Sequence, residues 1–105
     1  MKYHIVRLDA RYSYSKDFKY LLEFSKAGWA GTGVIDFDRS RRWFNQTFGW
    51  SQDVETRSAV LRSQDFEASD YNFKWAYSAK YREYRIYIQD EAVLNWFVLS
   101  HPNAA

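Results

Sequence analysis

Cysteine is absent from the chain. That excludes disulfides, thiolate metal centres and a cysteine nucleophile together. Without such staples a small chain is held by packing alone. One proline and four glycines are too few for a linker or a low-complexity tract. Histidine occurs only as His4 and His101, with no His-x-x-x-His or His-Glu pair and no nucleophile elbow around any serine. His4 reads as a half-buried strand residue and His101 as a residue beside Pro102 near the end, so neither reads as catalytic. Long apolar runs are missing too. The most apolar stretch, Ala92 to Leu99, is interrupted by Asn95 and falls far short of the roughly 20 residues a membrane span needs.

Charge of one sign is also scarce. Fifteen basic and 13 acidic residues leave a net +2, so the pI near 8.9 reflects a small excess. Nucleic-acid binders usually carry a larger or more clustered surplus. The start, Met1-Lys2-Tyr3-His4-Ile5-Val6-Arg7, mixes charge with apolar positions and does not read as a signal peptide. A cytoplasmic chain with no membrane attachment is the expectation, and Asn45-Gln46-Thr47 is then a chance match to a glycosylation sequon.

What the chain does have is rings. Aromatic residues make up 21% of its 105 residues, as five Trp, nine Tyr and eight Phe. The length fits one domain, residues 1–105, with a single core built more from rings than from aliphatic side chains.

Residues 2–8 alternate, with His4, Val6 and Leu8 on one face and Tyr3, Ile5 and Arg7 on the other, as in an inner strand covered on both sides. Ser15 reads as an N-cap, and Phe18, Leu21, Leu22 and Ser25 fall at helical spacing, predicting a helix over about 16–27 that ends at Gly28. The loop Gly28-Trp29-Ala30-Gly31-Thr32-Gly33 follows, then a short strand over 34–38. A second helix runs over about 40–48, capped by Asp38 or Ser40 and ended by Gly49. Ser51 is positioned to cap a third, with Trp50, Val54 and Leu61 along one side. Residues 63–70 read as a connection.

From Tyr71 the pattern is sharper. Tyr71, Phe73, Trp75 and Tyr77 alternate with polar neighbours, and so do Tyr84, Ile86 and Ile88. A hairpin centred on Ala79-Lys80 pairs Trp75 with Tyr84, Phe73 with Ile86 and Tyr71 with Ile88, which keeps every apolar partner on one face. Asp90 caps a last helix over about 90–97, whose residues are apolar on nearly every side. It is either buried broadly or ends near Phe97, with a short strand after it.

Three kinds of chemistry are open. Asp36 and Asp38, if extended, direct two carboxylates the same way, the minimum for a divalent cation; the plainer reading is a solvated Asp36 and a capping Asp38. The glycine loop does not fit a dinucleotide fingerprint, because Gly28 follows a helix. Basic residues lie among rings in two places: Arg41 and Arg42 beside Trp43 and Phe44, and Lys74 facing Arg85 across the hairpin with Tyr81 and Tyr87 on its non-core face. Cations beside exposed rings suit single-stranded nucleic acid, each stacked base contributing about 1–3 kcal/mol. Finally, rings exceed what one small core holds with every N–H and O–H satisfied. Trp29, Trp50, Trp96 and Tyr87 are therefore interface candidates, since Trp, Tyr and Arg dominate protein–protein contacts.

The stretch Trp43-Phe44-Asn45-Gln46-Thr47-Phe48-Gly49, followed later by a strand, Asp90-Glu91-Ala92 and an apolar helix, resembles small uncharacterised proteins of tailed phages and marine metagenomes. The resemblance covers about half the chain. It implies a phage or environmental origin and transfers no functional residue.

The expected fold is α+β, an antiparallel sheet of three to four strands with helices packed mainly on one face. The expected function is a non-enzymatic interaction or regulatory protein that self-associates, with neither cofactor nor metal. The competing expectation is a single-stranded nucleic-acid binder using Arg41, Arg42, Lys74, Tyr81, Arg85 and Tyr87.

Overall fold

In the computed structural model, which describes residues 2–24, 32–56, 59, 74–80 and 83–102, four strands and two long helices follow one another. They are β1 (His4–Arg7), β2 (Tyr20–Phe24), α1 (Thr32–Phe48), β3 (Trp75–Ser78), β4 (Tyr84–Ile88) and α2 (Glu91–Ser100). The strands form one antiparallel sheet in the order β1-β2-β4-β3. Both helices pack on the same face, so the α+β architecture has its helices on one side.

The pleat sorts the side chains into two layers. Leu22, Phe24, Trp75, Ile86 and Ile88 point to the helical face, where they meet Phe37 and Phe44 of α1 and Val93, Leu94 and Phe97 of α2. Leu21, Ala76 and Tyr87 point the other way, into a smaller cluster with Leu8, Phe18 and Val54. That second face is covered by the turns of residues 10–17, with Tyr12 and Tyr14 against it, and by a helical turn at 54–56.

The first expected helix is not one. Residues 10–17 form successive turns, with Tyr12 N–H donating to the Asp9 carbonyl and Ser15 N–H to the Tyr12 carbonyl, and 20–24 is a central strand. The physical reason is burial on both faces: Leu21 serves one layer, Leu22 and Phe24 the other. A short apolar run of that kind has no periodicity to separate strand from helix. Residues 25–27 of that expectation lie outside the described residues. β1, in turn, is an edge strand rather than an inner one, and His4 is exposed.

The expected strand over 34–38 and helix from 40 are a single helix. Phe37, Ser40 and Phe44 fall on one buried stripe, and this 3.6-residue spacing overrides the local alternation of Val34 to Asp38. Ser40 fits the stripe because its hydroxyl donates to the Asp36 carbonyl one turn back, at 2.8 Å. Gly49 ends α1 as expected. Its φ of 94° is the left-handed conformation glycine adopts freely, and its N–H donates to the Asn45 carbonyl at 3.0 Å.

The β3–β4 pair forms with its faces as expected and its register shifted by four residues. Trp75 lies opposite Ile88 and Tyr77 opposite Ile86, not Trp75 opposite Tyr84. Tyr71 and Phe73 are outside the described residues. An even shift leaves every side chain on its face, so hydrophobic patterning does not distinguish the two registers.

Candidate binding surface

Two places on the helical side bring rings and polar groups to the surface. The first is the seam between α1 and α2. Trp43 makes edge contacts with Phe44, Phe48 and Phe97, and with the ring of Trp96 at 6.0 Å. His101 stacks on Phe97 with centroids 4.7 Å apart, and its carbonyl accepts the Tyr3 hydroxyl at 2.6 Å. Burial pushes that phenol up from its ordinary value. Asp90 caps α2 as expected, accepting the Val93 N–H at 2.9 Å. The helix continues to Ser100, so neither alternative for the tail holds: no strand forms, and only one stripe is buried. Val93, Leu94 and Phe97 face inward, while Ala92, Asn95, Trp96 and Leu99 form an exposed stripe at helical spacing. Trp96 is 53% and Leu99 82% exposed.

The second place is a groove between α1 and β3. Arg41 lies with its guanidinium carbon 5.0 Å from the centre of the Tyr77 ring and 5.9 Å from that of Phe37. Asn45, Trp50, Ser51 and Trp75 complete a cavity of about 180 Å³. Two hydrogen bonds fix its far wall: Trp75 Nε1 donates to the Gly49 carbonyl at 2.9 Å, and the Ser51 hydroxyl to the Trp75 carbonyl at 2.7 Å. Ser51 is therefore a brace, not the expected helix cap. The capping is done by Asp53, which accepts from the Glu55 and Thr56 N–H groups and from the Thr56 hydroxyl. Burial, the largest influence, pushes the Asp53 carboxyl up, but these bonds together with the Lys80 charge outweigh it and hold the group below its ordinary value. Asp53 also bridges Tyr77, so residues 51–53 shield part of the β3 edge. Beyond Tyr77, a second hollow of about 290 Å³ is lined by Asp53, Glu55, Ser78, Ala79 and Lys80.

The other marked residues are dispersed. Tyr87 is 5% exposed in the second layer, with its ring against Tyr14 and Phe18. Arg85 lies opposite Glu23 and Ser78 rather than Lys74. Its guanidinium is 3.9 Å from Glu23 and 3.7 Å from Glu83. Lys74 is exposed and lies over the Phe48 ring at 5.6 Å. The hairpin's second face is thus a covered layer with a neutralised arginine, not an open basic–aromatic platform. Arg42 is exposed on α1, and Tyr81, Trp29 and Leu61 lie outside the described residues. Asp36 and Asp38 sit on a helix, where positions two apart diverge, and Asp36 accepts the Lys2 N–H at 3.2 Å. Among the described residues no group of three His, Cys, Asp or Glu side chains is placed to hold a metal ion.

The structure thus joins Arg41 and Trp50, marked for different reasons, in one groove. Tyr77 and Asn45 were not marked as site residues. Asn45 carried a signal, its spacing of four from Arg41 on one helix; Tyr77 carried none that separates it from other core-facing strand rings. Comparison with known proteins finds no matching family model, no matching curated sequence and no matching solved structure.

Proposed function

We propose that the protein acts in the cytoplasm by protein–protein contact, without catalysis of its own, and that it self-associates through the outer stripe of α2. One observation carries this reading: Trp96 and Leu99 stand more than half exposed, one turn apart on a helix whose opposite side is core. Large apolar side chains grouped at the surface favour a protein partner, and Trp is the residue most enriched among contacts that dominate binding energy. Phe48, against Trp96 at 5.4 Å, extends the patch toward α1. A stripe at positions 92, 95, 96 and 99 matches another helix, and a copy of itself meets that need with twofold symmetry. No helix among the described residues is long and apolar enough to cross a membrane.

Nucleic-acid binding through the hairpin has less support, because Tyr87 is buried and Arg85 is flanked by two carboxylates. Light scattering across a concentration series tests the preferred reading. The wild type gains mass toward a dimer with concentration, and Trp96→Ala moves that transition to concentrations at least tenfold higher. A wild-type mass that stays at 12.6 kDa over the whole series refutes it.

A further inference from the structure

The groove between α1 and β3 is independent of the α2 stripe, and its chemistry is that of a small-ligand site. Arg41 is half-buried there. It lies over the rings of Phe37 and Tyr77, and a cation–ring contact leaves the guanidinium N–H groups without an acceptor oxygen. Three other cations stand beside carboxylates: Lys80 is 2.8 Å from Glu55, Arg11 2.8 Å from Asp9, and Arg85 lies between Glu23 and Glu83. Among the described residues Arg41 has no carboxylate within ion-pair distance, although it is less exposed than its neighbours Arg39 and Arg42. A partly desolvated guanidinium without a counter-charge is suited to an anion from outside.

The rest of the cavity narrows the kind of anion. Asn45, one turn along α1, adds an amide that both donates and accepts. The exposed Trp50 and the buried Trp75 line it, and the two hydrogen bonds through Trp75 hold Trp50's segment in place. The volume of about 180 Å³ suits a small molecule of one ring and one acid group. Across Tyr77 lie Asp53, held ionised, and Glu55 against the single Lys80. Their excess of negative charge favours one charge in the groove over two. We propose that the groove binds a planar monocarboxylate, with the carboxylate on the Arg41 N–H edge and Asn45, and the flat body against Trp50 and Tyr77.

Benzoate is the probe, with benzamide as its neutral isostere and inorganic phosphate as the multiply charged anion. Binding is read by NMR shifts of the Asn45 side-chain amide and the Trp50 indole N–H. Benzoate shifts both in a saturable way and binds at least tenfold more tightly than benzamide or phosphate. Arg41→Gln weakens benzoate by about tenfold to a hundredfold, the range for a hydrogen bond to a charged group, and leaves benzamide unchanged. Asn45→Asp alters an exposed position, so the fold is retained, and it abolishes benzoate binding by placing a like charge in the groove. The proposal is overturned if benzoate produces no saturable shift, if phosphate or benzamide binds as well, or if a folded Asn45→Asp chain binds benzoate as the wild type does.

Discussion

Single residues decide where the polar backbone of this ring-rich chain is satisfied, and two of them are carboxylates at helix starts. Asp90 accepts the Val93 N–H, and removing such a cap costs about 1 kcal/mol. Asp90→Ala therefore lowers the unfolding free energy by that amount, read as a lower urea midpoint with an unchanged denaturant slope. Asp53 does the same for the turn at 54–56, and its hydrogen bonds hold the carboxyl below its ordinary value of 3.8 despite burial. A carboxyl held low in the fold contributes stability that is fully present above the unfolded value and is lost as pH falls through the folded value. Below about pH 4, then, wild-type stability drops more steeply than that of Asp53→Asn. Matching acid limbs in pH-dependent melting would contradict that assignment. Asp90 was legible as a cap because it precedes an apolar run directly. Asp53 was not, because Ser51 offered the same signal two residues earlier, and only the buried carbonyl of Trp75 explains why Ser51 turns away.

Among the elements, legibility followed exposure of one face. α2 was readable in type and in its cap but not in facing, because its outer stripe of Ala92, Trp96 and Leu99 is as apolar as its buried one. The β3–β4 pair was readable in type and in its core face, because polar residues alternate with its rings. β2 was not, since it lies inside the sheet with core on both faces, and its Leu21-Leu22 pair suits a helix equally well. The same ambiguity split α1 at Asp38, where β-branched residues suggested a strand but Phe37, Ser40 and Phe44 share one stripe. Register was beyond the pattern for a further reason: parity is fixed by burial, whereas the four-residue shift is fixed by where the strands end, at Ser78 and Tyr84. The central place of β2 has an energetic consequence. Leu22 is fully buried beneath both helices, so Leu22→Ala leaves a cavity and costs about 2–5 kcal/mol, read from chemical denaturation. Ile5→Ala, on the exposed edge strand, costs less than half as much. Equal losses at the two positions would contradict the edge assignment of β1.

For the whole molecule, the rings of the described residues fall into three groups. Most fill the two layers on either side of the sheet, including Phe18, Phe44, Trp75 and Phe97. Tyr77 and Trp50, beside Arg41, border the groove. Trp96, with Leu99, remains on the outside of α2, continuous with Trp43 and Phe48 beneath. Of the four interface candidates, Trp50 and Trp96 are at the surface and Tyr87 is in the second layer. Tyr87 misled because its face of the hairpin carries Arg85 and Glu83 and reads as solvated, while the cover comes from residues 8–18, distant in sequence. In the proposed assembly the outer stripe of α2 joins two copies. Sedimentation equilibrium of the wild type beside Leu99→Asp tests it most directly, because Leu99 is 82% exposed and its replacement leaves the fold intact. The wild type sediments as a dimer of twice 12.6 kDa and Leu99→Asp as a monomer with an unchanged circular dichroism spectrum. A wild-type monomer, or a Leu99→Asp chain that dimerises as tightly as the wild type, would contradict it.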